Sequence, residues 1–255
     1  MVNTRLLRHP EATMPAPPDC DGVAAGNRGR CVLILGMHRS GTSMLAGTLR
    51  RAGVDLGQVY DTPFPLNPTG LQEPLALVYM HEHLLEASGG AWHDPPAQVV
   101  WGKLHLAVRD LFIESRAGRP LWGFKEPRTL LVAEGWIEAL ADWTAVGIFR
   151  DPAEVAASLA GRNGFAVDKG FALWTAYNRR LVALQRAHGF PVVEFTRDAV
   201  RMRSRLDRLL DRLGLAPGAA ACCFDATIPR HAAPALPAPP AEAAELLAEM
   251  RALAA

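Results

Sequence analysis

The chain has 255 residues, and its 27 basic and 26 acidic side chains leave a formal net charge of +1. This length corresponds to one large domain or two small ones, and a hydrophobic fraction of 49% excludes a wholly disordered chain. The near-neutral charge argues against a protein that mainly coats nucleic acid or an anionic membrane.

The N-terminal residues 1–29 contain four prolines among small and polar residues, which predicts a flexible tail. This segment lacks an apolar core of signal-peptide length, and no stretch of the chain approaches the 18 apolar residues of a transmembrane helix. Four cysteines in a chain of this length do not make a disulfide framework. We therefore expect a cytoplasmic protein without a membrane span.

Short apolar runs alternate with helical patterns through the middle of the chain. The runs at residues 31–36, 121–125, 145–149 and 191–195 predict buried strands. Helices are predicted from 42 to 53 and at 75–87, 104–116, 171–188, 198–213 and 241–254, with another starting after Asp151. The alternation predicts an α/β fold, in which a mostly parallel sheet flanked by helices forms a three-layer sandwich like that of P-loop NTPases.

The chain divides into three parts by composition. Residues 1–29 form the predicted tail, residues 30–214 a single binding domain, and residues 215–255 an Ala/Pro-rich extension with a short helix. Within the domain, residues 54–74 are rich in proline and glycine and predict a long loop. Long loops in compact domains are usually functional or mobile.

The segment GMHRSGTS at residues 36–43 joins the first predicted strand to the first predicted helix. Its spacing matches the Walker A loop G-x-x-x-x-G-K-[ST], except that Thr42 stands where the lysine belongs and the cation is Arg39. Gly36 and Gly41 permit a tight turn, whose backbone N–H groups and helix N-terminus would bind an anion. No apolar strand ends in the aspartate that usually binds magnesium. The loop predicts phosphate binding without the parts for γ-phosphate transfer.

A second anion site is indicated at the end of the third predicted strand. Arg150 follows this strand, and Ser158 lies two helical turns further along. Because ligands gather at the carboxyl ends of parallel strands, both side chains are expected near the phosphate loop, where they could bind a second phosphate. Two phosphate groups on one nucleotide, without magnesium machinery, fit a 3′-phosphorylated adenylate better than ATP.

Four segments in this order, GMHRSGTSMLAGTL, NPTGLQE, GFKEPR and FRDPAEVAASLAGR, resemble the PAPS-dependent sulfotransferase family, especially its bacterial members. PAPS is 3′-phosphoadenosine 5′-phosphosulfate, and the resemblance covers about residues 31–213. It implies transfer of a sulfuryl group to an acceptor hydroxyl of a carbohydrate, lipid or small metabolite, with release of adenosine 3′,5′-bisphosphate (PAP). The chain departs from the family at Glu126, where relatives usually have Asp, and at Leu71 and Gln72, where they usually have aromatic residues.

The resemblance also implies which residues bind the co-substrate. The loop for the 5′-phosphosulfate would consist of Arg39, Ser40, Gly41, Thr42 and Ser43. Arg150 and Ser158 match the arginine–serine pair that holds the 3′-phosphate. No metal is expected at the site.

Two further residues are candidates for catalysis beside Arg39. Glu73 matches the position of a general-base glutamate in several sulfotransferases, and a desolvated pocket would raise its pKa toward a useful range. Lys125 follows a buried strand, so its ammonium could stabilise the departing PAP jointly with Arg39. Alternatives remain open for both residues, because Glu73 also suits a helix N-terminus and Lys125 also suits an ion pair with a structural carboxylate.

Histidines at two places in the sequence are weaker candidates for a functional role. The histidines of His81-Glu82-His83 diverge on a helix, so we expect surface positions rather than a metal site. His38 lies within the phosphate loop and could touch the acceptor, although a variable loop position is the simpler interpretation.

Two other functions remain open. A P-loop nucleotide kinase or other phosphotransferase would require magnesium and ATP, and a non-catalytic module would bind PAPS or PAP without turnover. We expect no nucleic acid partner and no membrane span.

Overall fold

The computed structural model describes residues 29–62, 70–216 and 238–254. The predictions made for residues 1–28 and 217–237, and those for Cys20, Cys222 and Cys223, lie outside the described residues. Cys31 is a free, buried cysteine.

Four parallel strands form the central sheet, in the order β2-β1-β3-β4. They are β1 (Arg30–Leu35), β2 (Leu121–Lys125), β3 (Trp143–Phe149) and β4 (Val192–Glu194). Ile34 of β1 is in register with Lys125 of β2 and Val146 of β3. The chain therefore leaves all four strands at the same edge of the sheet, which is where ligands bind in folds of this type.

Eight α-helices connect and cover the strands within the described residues. They are α1 (Thr42–Arg51), α2 (Leu75–Ala87), α3 (Lys103–Glu114), α4 (Ala133–Ile137), α5 (Pro152–Asn163), α6 (Val167–His188), α7 (Ala199–Arg212) and α8 (Ala241–Leu253). A 3₁₀-helix spans Pro127–Leu131. The sequence did not predict this 3₁₀-helix or α4, and α6 begins four residues earlier than predicted, at Val167 rather than residue 171.

The sheet has an apolar cluster on each face, because successive side chains of a strand point to opposite sides. Leu33 and Leu35 of β1 belong to one cluster, which α2, α6 and α8 cover. Val32 and Ile34 belong to the other, which α1 and α7 cover. The predicted α/β fold, with helices on both faces of a parallel sheet, is confirmed.

The start of α5 fixes the position of the second predicted anion site. Asp151 is the N-cap, and its carboxylate accepts a hydrogen bond of 2.9 Å from the backbone N–H of Ala153. Pro152 occupies the first helical position, where its missing N–H costs nothing. The cap was predicted, and it orients the helix that carries Ser158. Among the described residues, no helix has both the length and the apolar character needed to span a membrane.

Candidate active site

The phosphate loop leaves β1 after Leu35 and enters α1 at Thr42. Gly36 is required by close packing, because a Cβ atom there would lie 2.6 Å from the carbonyl oxygen of Ile148. Gly41 is the N-cap of α1 with φ of 93°, a left-handed conformation that favours glycine. The loop can therefore bring its backbone close to a ligand.

The N-terminus of α1 has the properties of an anion site. Gly41 offers no side chain to cap the first N–H groups, and no acidic residue lies in the first turn. The hydroxyl of Ser40 is buried and has no hydrogen-bond partner among the described residues. Buried polar groups normally have partners, so this orphaned hydroxyl and the uncapped helix end together fit a bound anion.

Arg39 connects the loop to the second predicted anion site. Its Nε donates a hydrogen bond of 2.9 Å to Ser158 Oγ on α5, and its carbonyl oxygen accepts one of 3.3 Å from Arg150 Nη1. The structure thus brings Arg39 together with Arg150 and Ser158, each of which is more than a hundred residues away from it in the sequence. Burial, aided by the charges of Arg162 and Arg150, lowers the pKa of Arg39 to about 10.

Arg150 lies in a cluster that the sequence reasoning did not identify. Its guanidinium lies over the ring of Phe195, 5.0 Å from the centroid, and pairs with Glu154 at 2.5 Å. Glu154 also forms an ion pair of 3.1 Å with Arg197. Phe195 follows β4 and Arg197 lies two residues further, at the same sheet edge as Arg150. Phe195 is the last residue of the predicted strand at 191–195, so a position at the carboxyl end of a predicted strand was the signal that could have found both.

Lys125 and Glu73 form a buried ion pair beside the phosphate loop. Lys125 Nζ lies 2.5 Å from Glu73 Oε1, and the side chains are only 1% and 8% exposed. The ammonium also donates a hydrogen bond of 3.2 Å to Ser43 Oγ, in the first turn of α1. Ser43 in turn donates to the carbonyl oxygen of Leu71 at 3.0 Å. The predicted catalytic lysine and glutamate are therefore each other's charge partners, and Lys125 connects the pair to Ser43 at the end of the loop.

Burial changes the acidity of both partners. It raises the pKa of Glu73, against the opposing charge of Lys125. It lowers the pKa of Lys125, against the opposing charge of Glu73. Both shifts disfavour the charged forms, so an anion bound next to Lys125 would compensate part of its desolvation.

A second buried network of hydrogen bonds and ion pairs involves Glu126, the residue that follows Lys125. His81 Nδ1 lies 2.7 Å from Glu126 Oε2, and Trp136 Nε1 donates to His81 Nε2 at 2.9 Å. Because the indole can only donate, the ring proton of neutral His81 is on Nδ1 and is donated to Glu126. Arg128 Nη1 donates to the other oxygen of Glu126 at 2.6 Å. These contacts hold Glu126, Arg128 and His81 in fixed orientations.

The prediction that His81 lies on the surface is wrong. Its ring is fully buried, because the apolar face of α2 turns it toward Glu126, whereas His83 is exposed as predicted. Burial alone would raise the pKa of Glu126, but the hydrogen bond from His81 and the charge of Arg128 outweigh it and lower the pKa to about 2. The described part of the chain contains no group of three or more histidine, cysteine or acidic residues that could hold a metal ion.

A solved sulfotransferase domain matches the described architecture along most of the chain. The sulfotransferase domain of the olefin synthase from Synechococcus PCC 7002 is 18% identical, and the match covers 89% of this chain and 96% of that one with a TM-score of 0.57. The chain has the fold of a sulfotransferase domain. No protein-family model matches the sequence, and no curated protein matches it.

Two other solved sulfotransferases match this fold more distantly. The sulfotransferase domain of the curacin biosynthetic pathway is 12% identical over 88% of this chain and 98% of that one, with a TM-score of 0.49. A sulfotransferase from Mycobacterium tuberculosis is 15% identical over 77% of this chain and 70% of that one, with a TM-score of 0.43.

Proposed function

We propose that this protein transfers the sulfuryl group of PAPS to an acceptor hydroxyl and releases PAP. The observation that carries the proposal is the hydrogen-bonded contact of Arg39 with Ser158 and Arg150 beside the uncapped start of α1. It puts two groups of anion-binding residues within reach of one nucleotide. The sulfotransferase fold supports the same assignment.

The residues present fit the phosphosulfate end of PAPS. Among the described residues, the buried hydroxyl of Ser40 has no hydrogen-bond partner, and Gly41 leaves the start of α1 without a side-chain cap. Arg39 adds a charged donor next to the loop N–H groups, and such charge-assisted hydrogen bonds are about twice as strong as neutral ones.

The residues at the second site fit the 3′-phosphate. Arg150 offers a guanidinium fork and Ser158 a hydroxyl. Glu154 and Phe195 hold the guanidinium in place by an ion pair and a stacked ring. The Ser158 hydroxyl accepts a hydrogen bond from Arg39 Nε, and Arg150 donates one to the Arg39 carbonyl oxygen, so these contacts hold the three residues together.

PAPS supplies an activated sulfuryl group, whose bond to the 5′-phosphate breaks as the bond to the acceptor oxygen forms. Arg39 and the N-terminus of α1 bind the negative charge that develops on the departing phosphate. Lys125 holds its ammonium against Ser43, at the first turn of the same helix, and neutralises the same charge. Glu73 accepts the proton of the acceptor hydroxyl, and burial makes it a stronger base than an exposed carboxylate.

Thermal unfolding with added nucleotides tests the donor assignment. We expect PAP to raise Tm more than ADP does, with no dependence on magnesium. Arg150→Ala should lose the preference for PAP, whereas Arg208→Ala, which removes an exposed arginine on α7, should keep it. Stronger stabilisation by ADP with magnesium would instead favour a nucleotide kinase, and stabilisation by PAP without transfer to any acceptor would favour a non-catalytic binding module.

A further inference from the structure

An aromatic cluster adjoins the phosphate loop at His38. We call it the aromatic wall, and its members are His38, Trp92, His93, Phe165 and Tyr177. His38 precedes Arg39 in the loop, and its ring centroid lies 4.6 Å from that of Trp92 and 6.1 Å from that of Tyr177. The wall therefore begins one residue from a side chain assigned to the sulfuryl donor.

The remaining rings extend the wall away from the loop. Phe165 lies 5.8 Å from Trp92 and 5.7 Å from His93, measured between centroids. Trp92, His93 and Phe165 are each only partly buried, so parts of their faces remain open to a ligand. The hydroxyl of Tyr177 donates a hydrogen bond of 2.9 Å to the carbonyl oxygen of Trp92. This bond anchors the segment that contains Trp92 to α6.

Two buried polar atoms within the wall have no hydrogen-bond partner in the part of the chain that the structure describes. They are Nε2 of His38 and Nδ1 of His93. Because a buried polar atom without a hydrogen-bond partner is destabilising, native structures keep few of them. His38, which carries one of these nitrogens, directly precedes Arg39 in the loop.

The imidazole of His38 is suited to accept a hydrogen bond. Burial is the main reason that its pKa falls to about 3, and the positive charges of Arg128 and Lys125 lower it further against the charge of Glu126. The ring is therefore neutral near pH 7, and a neutral imidazole has one nitrogen with a free lone pair.

We propose that the aromatic wall binds the acceptor, that the acceptor is a flat aromatic compound with a hydroxyl group, and that this hydroxyl donates to His38 Nε2. The inference rests on the proposed sulfuryl transfer and specifies its second substrate. A flat ring stacks on Trp92 and Phe165, as aromatic pairs do in proteins. His38 holds the hydroxyl by this hydrogen bond before the reaction. The hydroxyl then turns its single proton from His38 to Glu73, which accepts it as the oxygen–sulfur bond forms and the bond from sulfur to the 5′-phosphate breaks.

The chemistry of the wall favours this acceptor over a sugar. A sugar carries hydroxyl groups on every edge, and each needs a partner when it is desolvated. The wall offers two imidazole nitrogens without partners among five rings, which suits one hydroxyl on an otherwise apolar body. An aliphatic alcohol would fill the site but would not gain the ring–ring contacts.

The test measures PAP release from PAPS with umbelliferone, n-octanol or glucose as the acceptor. We expect kcat/KM for umbelliferone to exceed the values for the other two by about tenfold or more. His38→Ala should lower kcat/KM for umbelliferone about tenfold, with an unchanged Kd for PAP. His38→Gln, whose amide oxygen also accepts a hydrogen bond, should recover part of the loss.

The matched control is His188→Ala, which removes an exposed histidine that contacts Trp143 at the start of β3, remote from the site, and should leave all parameters unchanged. If PAP binds but umbelliferone is not sulfated, or if octanol or glucose is preferred, the inference is wrong and the proposed function stands. An unchanged kcat/KM in His38→Ala also refutes the role of His38. If PAP itself does not bind, the proposed function fails, and this inference fails with it.

Discussion

The buried pair between Lys125 and Glu73 allows a quantitative prediction about stability. Two opposite unit charges about 4 Å apart attract by about 4 kcal/mol at an effective dielectric constant near 20, and this pair is closer, with its charged atoms at 2.5 Å. Removing one partner of a buried pair costs about 3–5 kcal/mol, because the other charge stays buried without compensation. We expect Glu73→Gln and Lys125→Met each to lower the free energy of unfolding by about 3 kcal/mol.

The double variant separates this pairwise effect from simple loss of packing. With both charges removed, no unpaired charge remains in the interior, so the double variant should be much more stable than the sum of the two single effects implies. We expect a coupling free energy of at least about 2 kcal/mol in the double-mutant cycle.

Urea unfolding, followed by tryptophan fluorescence, measures all four proteins of this cycle. The slope of the free energy of unfolding against urea concentration should be the same for each protein, because each exposes the same surface area when the same folded state unfolds. Additive effects within about 0.5 kcal/mol, or a Glu73→Gln variant as stable as the parent, would refute the view that these two charges depend on each other.

Three further predictions concern single positions. Gly36→Ala puts a Cβ atom 2.6 Å from the carbonyl oxygen of Ile148 and should lower the free energy of unfolding by about 1–3 kcal/mol. It should also weaken PAP binding, and an unchanged Kd for PAP would contradict the described loop. Because the pKa of Glu126 is lowered to about 2, its ion pair stabilises the protein above pH about 4.5, and this contribution should be lost as the pH falls toward 2. Glu126→Gln should therefore flatten the dependence of the free energy of unfolding on pH between about 2 and 4.5. The same pH dependence in the variant and the parent would contradict this role of Glu126. Asp151→Ala removes the cap of α5 and should cost about 1 kcal/mol in urea unfolding, whereas no loss would show that the cap is dispensable.

The strands and most helices follow from local patterns in the sequence. The helix at Leu75–Ala87 and the strand at Leu121–Lys125 have the predicted bounds, because apolar spacing and the flanking turn residues determine both. The 3₁₀-helix at Pro127–Leu131 was missed, since five residues are too few for a periodic signal. Its buried side chains are held by contacts with other elements.

The residues of the site also differ in whether the sequence alone could predict their contacts. Arg39 and Arg150 could be found because each follows a predicted strand, and parallel strands end at a common edge. The partnership of His81 with Glu126 joins residues 45 positions apart, and no local pattern specifies such a contact. The partnership of Lys125 with Glu73 was likewise open, because the sequence indicates that each is suited to a charge partner but not which partner it has.

The most direct test of the central claim is to follow sulfur-labelled PAPS with the full chain and a mixture of umbelliferone, n-octanol and glucose. The account predicts that label appears in an acceptor product, identified by mass spectrometry as carrying one added SO₃ group, in step with the release of PAP, and that Lys125→Met slows this transfer more than it weakens PAP binding. If all label stays in PAPS or appears only as inorganic sulfate, while the chain transfers the terminal phosphate of ATP in the presence of magnesium, the sulfotransferase account is contradicted.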